Sequence, residues 1–170
     1  AAYVAEKSPA ELVEEALDHP INSLPLEELV KGKRNMVIIT SDHTRPMPSK
    51  VTLPILLRRI RAVNPTIDIT ILIATGFHRP MSHEEMVNRF GEDLVKTENI
   101  INHDSEDTAN MVEIGTLPSG GKCVINRLAV ETELLISEGL INPHFFAGFS
   151  GGRKSVLPGV ASKVTVLANH

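Results

Sequence analysis

The sequence predicts an α/β fold: a largely parallel, Rossmann-like open sheet with helices on its flanks. Two observations support this class. Short apolar runs rich in β-branched residues alternate with amphipathic helical segments along the chain. Polar loops also follow successive strands, as they do at the ligand-binding edge of such sheets. With 170 residues, 42% of them hydrophobic, the chain suits one domain with a sizeable core.

The first half of the chain alternates helix and strand. Residues 8–11 combine a capping box with a proline in the first turn, and they predict a helix that ends near residues 18–20. A strand is predicted over residues 36–39 and an amphipathic helix over residues 53–63. Residues 67–74 predict the second strand, which completes a β-α-β unit.

The second half adds shorter elements. A second capping box at residues 82–85 predicts a helix, and residues 100–101 predict a short strand. Residues 111–114 and 122–126 flank a Pro-Ser-Gly-Gly turn and predict a hairpin, so we expect part of the sheet to be antiparallel. The remaining predicted elements are a strand over residues 134–136 and a final helix, capped by Ser162, that runs through Ala168.

Composition excludes several classes of protein. The net charge of -4 argues against a nucleic-acid partner, and the apolar fraction argues against disorder. Cys123 is the one cysteine, so no disulfide can form within the chain, which fits a cytoplasmic protein. The sequence contains no signal peptide and no apolar run of about 18 residues, so we expect no membrane partner.

Three polar clusters follow three predicted strands. They cover residues 42–46, residues 76–80 and the glycine-rich residues 142–154. Because the carboxyl ends of parallel strands meet at one edge of a sheet, we expect the clusters to converge there. Glycine lets a backbone approach a ligand closely, since it has no Cβ. The combined histidines, arginines, carboxylate and lysine suit acid–base chemistry beside an anion clamp.

The histidines and arginines outside these clusters have a simpler interpretation. We expect loop histidines with satisfied hydrogen bonds and a solvated arginine face on the second long helix. These residues are His19, His83, His103, Arg58, Arg59 and Arg61.

The clusters resemble one family, the nickel-pincer lactate racemases and the wider group of 2-hydroxyacid racemases and epimerases. The resemblance extends from about Asn35 onward and resides in residues 42–46, 76–80, 143–154 and 157–159, with Asn169 and His170. The family has a two-domain α/β architecture. By resemblance, residues 1–170 form the N-terminal domain, and the C-terminal domain is absent from this chain. We therefore expect a truncated or proteolytic fragment that is inactive alone.

The resemblance implies an isomerase that uses hydride transfer. In the family, a nickel ion is held in a pincer made from a pyridinium mononucleotide, which is tethered to a lysine through a thioamide. Lys154 matches that lysine, and His170 matches the histidine that completes the nickel coordination. His78 and His144 match the acid and base that act on the substrate hydroxyl.

Other matches define the rest of the expected site. Asp42 is assigned to orienting a histidine, and Arg45 to an anionic group. Backbone N–H groups at Gly151 and Gly152 can hold the phosphate of the cofactor. Expected partners are a small hydroxy acid, such as lactate or a sugar acid, and the enzymes that make the cofactor. We expect the cofactor itself to be absent from the isolated fragment.

A second function remains open from the residues alone. A non-catalytic phosphate- or nucleotide-binding module would use Lys154 as an anion contact, without a tethered cofactor. It would have no use for a metal ligand at His170, so these two residues together distinguish the hypotheses. The segment is not a P-loop, because it lacks the G-x-x-x-x-G-K-[ST] spacing.

Overall fold

A computed structural model describes residues 6–145 and 148–169 of the chain. The strands are β1 (Asn35–Ser41), β2 (Asp68–Ala74), β3 (Asn99–Asn102), β4 (Met111–Thr116), β5 (Lys122–Asn126), β6 (Leu135–Ser137), β7 (Pro143–His144) and β8 (Gly148–Phe149). The central sheet has the order β3-β2-β1-β6, and all its strands are parallel. Helices flank the sheet, so the predicted α/β class is confirmed.

The helices are α1 (Pro9–Asp18), α2 (Leu26–Val30), α3 (Ser49–Val63), α4 (His83–Phe90), α5 (Glu92–Thr97), α6 (Arg127–Glu131) and α7 (Lys163–Asn169). Both predicted capping boxes form, one at Ser8 and the other at Ser82. Ser162 also caps α7, because its Oγ accepts a hydrogen bond from Thr165 N at 3.3 Å. The short helices α2, α5 and α6 were not predicted, since five or six residues are too few to show a helical period.

The two central strands, β1 and β2, are buried on both faces of the sheet, which explains their continuous apolar runs. Alternate residues of β1 enter two separate cores. Met36 and Ile38 pack on the side of α1 to α4, with Leu53 of α3. Val37 and Ile39 pack on the opposite side, which β5, α6 and α7 cover.

The predicted hairpin exists, but its expected place in the sheet is wrong. β4 and β5 form a two-stranded sheet of their own instead of an antiparallel part of the central one. β5 bonds to the segment before α7, with Ser162 N donating to Val124 O at 2.9 Å and Asn126 N to Val160 O at 2.9 Å. The hairpin therefore covers a face of the sheet, where Ile125 is buried, and does not extend an edge.

Two ion pairs connect elements at the amino-terminal edge of the sheet. Arg34 pairs with Glu133 at 2.5 Å, and Arg61 pairs with Glu98 at 2.7 Å. The predicted solvated arginine face is wrong for Arg59, whose side chain is only 13% exposed. It bridges α1 and α2 to α3 by contacting carboxylates of three residues: Glu14, Asp18 and Glu27. None of the described helices is both long and apolar enough to traverse a lipid bilayer.

Candidate active site

The strand order creates a crevice at one edge of the central sheet. From β1 the chain proceeds outward to β2 and β3, and it then returns to place β6 on the other side of β1. Ligands bind at such switch points, beyond the carboxyl ends of the strands. Here the loops after β1, β2 and β6 line a cleft of about 900 Å³. The predicted site residues that line it are Asp42, Arg45, His78, His144, Gly151 and Lys154.

Asp42 and His78 form the most defined polar pair in the cleft. His78 Nδ1 lies 2.5 Å from Asp42 Oδ2, so the ring donates its Nδ1 hydrogen to the carboxylate. Thr44 donates to the other carboxylate oxygen from its backbone N at 3.0 Å and from its hydroxyl at 2.6 Å. Burial acts to raise the pKa of Asp42, but the bonds from Thr44 and His78 outweigh it and lower the pKa. Asp42 is therefore a charged, fixed acceptor.

The loop that carries His78 requires a glycine. Gly76 has a φ of 54°, which side chains with a Cβ rarely adopt, and its N donates to Gly159 O at 3.0 Å. His78 N donates back to Thr75 O at 2.8 Å, which closes a tight turn. The His78 side chain remains 48% exposed, so the ring contacts Asp42 on one side and is accessible from the cleft.

The glycine-rich segment forms the opposite wall. β7 and β8 pair antiparallel, and Ser150 anchors their base by donating from Oγ to Leu140 O at 2.9 Å and accepting from Asn142 N at 2.9 Å. Gly151 has a φ of 75°, and a Cβ there would lie 2.8 Å from Leu140 O. Only glycine lets the chain pass this point and begin the 3₁₀ turn that carries Lys154.

Positive charge dominates the cleft. Arg45, Arg153 and Lys154 line it, whereas Asp42 is the one carboxylate among its described lining residues. Asp42 already accepts bonds from Thr44 and His78. Neither Arg153 nor Lys154 forms an ion pair with any residue in the described ranges 6–145 and 148–169. The cleft therefore suits an anionic ligand, such as a phosphate or a carboxylate.

The remaining predicted site residues differ in their position relative to the cleft. His144 is half-buried in β7, and its ring stacks on Phe145 with centroids 5.0 Å apart. Gly152 is exposed with a φ of 57° and is not among the residues that line the cleft. His170 lies outside the described residues. Among those that are described, no group of three or more potential ligands has the arrangement of a metal site.

His103 lies outside the cleft, in keeping with the prediction of a satisfied loop histidine. It is 2% exposed, and its Nε2 lies 3.0 Å from Ala161 O. Asn126 Nδ2 lies 3.1 Å from its Nδ1, so the ring donates at Nε2 and accepts at Nδ1. Burial lowers the pKa of His103, which keeps the ring neutral.

Sequence patterns missed two charged residues behind the cleft, the buried Glu138 and the half-buried Arg89. Glu138 accepts from Thr40 Oγ1 at 2.6 Å and Ser49 Oγ at 2.5 Å, so it joins β1 and α3 to the segment after β6. Arg89 of α4 donates to the backbone carbonyls of Ser41 and Arg45. No sequence signal marks either residue, because their partners are backbone groups or distant hydroxyls. Thr44 and Arg153 lie within the polar clusters 42–46 and 142–154, but the sequence pattern assigns no role to either residue.

Two lactate racemases are similar to this chain in sequence. Lactate racemase from Lactiplantibacillus plantarum is 62% identical over 170 residues, which are 100% of this chain and 40% of that protein. Lactate racemase from Thermoanaerobacterium thermosaccharolyticum is 57% identical over 169 residues, 99% of this chain and 40% of that protein. The chain thus spans about 40% of the length of these relatives.

Solved structures share the fold. The lactate racemase apoprotein from T. thermosaccharolyticum has a TM-score of 0.93 at 59% identity, over 95% of this chain and 39% of that one. A protein from Thermotoga maritima has a TM-score of 0.74 at 23% identity, over 98% of this chain and 42% of that one, and supports the fold alone. A family model described as the lactate racemase N-terminal domain matches residues 1–170. The chain therefore belongs to the lactate racemase N-terminal domain family.

Proposed function

We propose that this chain is the cofactor-binding domain of a racemase that interconverts the enantiomers of a 2-hydroxy acid, with lactate as the first candidate. The observation that carries the proposal is the Asp42–His78 pair in a cation-rich cleft that His144 also lines. Membership of the lactate racemase family supports the same activity. The whole enzyme would include further chain, since the relatives are longer.

Two histidines suit this reaction because racemisation requires proton transfer at the substrate hydroxyl for either enantiomer. Asp42 accepts the hydrogen on His78 Nδ1, which leaves His78 Nε2 as the ring nitrogen that can accept the hydroxyl proton. His144 would perform the same task for the other enantiomer. Arg45 would bind the substrate carboxylate, which a guanidinium matches with two parallel hydrogen bonds.

The residues of the cleft fit a lysine-tethered nickel-pincer nucleotide. Lys154 is half-buried in the lining and has no carboxylate partner among residues 6–145 and 148–169, so its amine is available for a covalent link. Arg153 and the Gly151 backbone could contact a phosphate. His170 would supply an imidazole for nickel. When bound, the group would supply the electron acceptor for the C2 hydrogen, which no side chain provides.

Substitution of Lys154 by arginine tests this proposal. Arginine retains the positive charge but cannot form the covalent link, because its guanidinium stays protonated. The full-length protein should be co-expressed with the cofactor-making enzymes and nickel, and then analysed by intact mass and by lactate racemisation. We expect Lys154→Arg to have no adduct and little activity. Lys163→Arg is the matched control, because Lys163 pairs with Glu106 at 2.5 Å outside the cleft.

The same experiment tests the alternative of a phosphate-binding module without a tethered group. Such a module would retain anion binding in Lys154→Arg, and the wild-type protein would carry no adduct. Wild-type racemisation by the Lys154→Arg protein would reduce the lysine to an anion contact and would refute the tethered cofactor. If a weakly held cofactor still sustains slow turnover, His170→Ala should abolish it by removing the proposed nickel ligand.

A further inference from the structure

Helix α4 contacts both loops that form the Asp42–His78 pair. The Asp42 loop comprises residues 41–45, and the His78 loop comprises residues 75–79. Glu85 and Arg89 are four residues apart on α4, so they lie on the same helix face. Glu85 contacts the His78 loop and Arg89 contacts the Asp42 loop, so one rigid element connects the two partners of the pair.

At the first contact, Glu85 binds Arg79, the residue after His78. Arg79 donates from both terminal nitrogens to the two Glu85 oxygens, at 2.7 and 2.6 Å. The bond from Arg79 lowers the pKa of Glu85 to about 2, so this carboxylate remains charged. Glu85 also completes the capping box of α4 by accepting from Ser82 N at 2.8 Å. The His78 loop is thereby attached to the start of the helix.

At the second contact, Arg89 holds the Asp42 loop by its backbone. One terminal nitrogen donates to Arg45 O and the other donates to Ser41 O at 3.3 Å, so the bonds bracket Asp42. Arg89 Nε is buried and has no hydrogen-bond partner within residues 6–145 and 148–169. A buried donor left unpaired costs free energy, and native structures contain few of them. Both terminal nitrogens are committed to the Asp42 loop instead, which indicates a role in placing that loop.

The helix itself is well anchored. Phe90, next to Arg89, is 2% exposed and belongs to the core on the α1–α4 side of the sheet. Burial lowers the pKa of Arg89, whereas the carboxylates of Glu138 and Asp42 favour its charged form. Arg89 therefore connects the Asp42 loop to a helix that Phe90 anchors in the core.

We propose that Arg89 is a positioning residue that holds Asp42 where it fixes the Nδ1–H tautomer of His78. Arg89 does not line the cleft and acts only through the Asp42 loop. The consequence of this positioning for catalysis rests on the proposed function. A neutral His78 with its hydrogen on Nε2 could not accept the substrate proton at Nε2. The tautomer itself is a property of the apoprotein and can be measured without racemase activity.

The experiment measures the ring ¹⁵N shifts of His78 in the full-length apoprotein labelled with ¹⁵N-histidine, with His78→Gln used to assign the signals. At a pH where the ring is neutral, the wild type should show a protonated Nδ1 and an unprotonated Nε2. In Arg89→Gln, we expect the Nε2 signal to move toward the protonated position. Asp42→Ala should cause the same change, since it removes the acceptor directly.

The matched control is Arg127→Gln. Arg127 also donates to a backbone carbonyl, Met111 O at 3.4 Å, but it lies on α6 outside the cleft, so the His78 tautomer should not change. If Arg89→Gln does not fold, Arg89→Lys replaces it in the experiment. The Nε2 signal of His78 should move in the same way, because an ammonium lacks the planar fork that reaches two carbonyls. A wild-type tautomer in a folded Arg89 variant would overturn the proposal, and so would a wild-type tautomer in Asp42→Ala.

Discussion

At the scale of single residues, Asp42 contributes to both the fold and the site. Its side chain is 3% exposed, and such burial normally opposes charge. The hydrogen bonds from Thr44 and His78 reverse that tendency and lower the pKa of the carboxyl. A charged acceptor at this position holds a hydrogen of His78 on Nδ1. The proposed base thus has a constant partner while it exchanges protons with the substrate.

Removal of either proposed acid–base histidine should slow racemisation. In the loaded full-length enzyme, we expect His78→Ala and His144→Ala each to reduce kcat by roughly 100- to 10,000-fold in both directions, as lost acid–base catalysis does. Lactate racemisation followed by circular dichroism measures the effect. His83→Ala is the control, because His83 is exposed and lies outside the cleft. Near-normal turnover in one variant would exclude that histidine from the mechanism.

His103 should make stability depend on pH. Because burial lowers its pKa in the folded protein, the unfolded chain binds the proton more readily. The contribution of neutral His103 is complete above about pH 6.5, the ordinary histidine value, and is lost as the pH falls toward the folded pKa. Urea unfolding at a series of pH values should therefore show a declining free energy of unfolding below about pH 6.5.

The variant His103→Gln isolates this contribution. It should be less stable than the wild type at neutral pH, because Asn126 and Ala161 lose hydrogen bonds to the ring. Its free energy of unfolding should also change less between neutral and mildly acidic pH. Parallel curves for the two proteins would show that His103 is not the group responsible.

At the scale of elements, sequence patterns predicted the helices, strands and loops whose defining interactions lie within a few residues of one another. The capping boxes of α1 and α4 predicted helix starts, because both bonding partners lie within four residues. The polar loops after β1, β2 and β6 predicted the residues that meet in the cleft, because a parallel sheet aligns its strand ends. Family resemblance, in turn, assigned chemical roles that the loops alone left open.

The unpredicted features depend on tertiary contacts. The hairpin was predicted correctly as a local unit, but its packing on a face of the sheet depends on Val160 and Ser162, far along the chain. Arg89 bonds to carbonyls of Ser41 and Arg45, so nothing in its own sequence neighbourhood indicates the contact. Periodicity could not identify the partners of Arg59 on α1 and α2, since these helices approach only in the folded protein.

The segment before α7 contains a close backbone approach that can be tested. A Cβ at Gly159 would lie 2.3 Å from Ser155 O and 3.0 Å from Ala74 Cβ. We expect Gly159→Ala to reduce the free energy of unfolding by about 1–3 kcal/mol, as overpacking does. Denaturant unfolding provides the measurement. Gly139→Ala is the control, because its Cβ would meet no atom closer than 3.8 Å.

The two substitutions should therefore differ in their effect on the free energy of unfolding. Gly139→Ala should be neutral or slightly stabilising, since alanine restricts the unfolded chain without a clash. Equal effects at both positions would show that backbone freedom, not the close approach to Ser155, governs the cost at Gly159.

At the scale of the whole molecule, we expect strands β1 and β2 to be the most protected part of the fold. Residues 36–40 of β1 and 69–73 of β2 are all buried, between two cores on opposite faces. Exposure of either strand requires disruption of both cores, so their amides should exchange only through near-global unfolding. The β4–β5 hairpin has several exposed residues and should open more readily.

Hydrogen–deuterium exchange read by mass spectrometry would test this order. Peptides from β1 and β2 should exchange slowest, those from β4 and β5 faster, and those from β7 and β8 fastest, since both strands of the last pair are short and largely exposed. Protection of the β4–β5 hairpin equal to that of β1 would mean that the domain opens as a single cooperative unit.

The ion pairs of Arg34 with Glu133 and Arg61 with Glu98 lie at the amino-terminal edge of the sheet, opposite the cleft. These two ion pairs therefore involve none of the groups proposed for chemistry, which lie at the other end of the strands. This separation makes the domain suitable for engineering. Substitutions at the amino-terminal edge can adjust thermal tolerance while the ligand edge stays constant, and substrate preference can be varied independently from the other end.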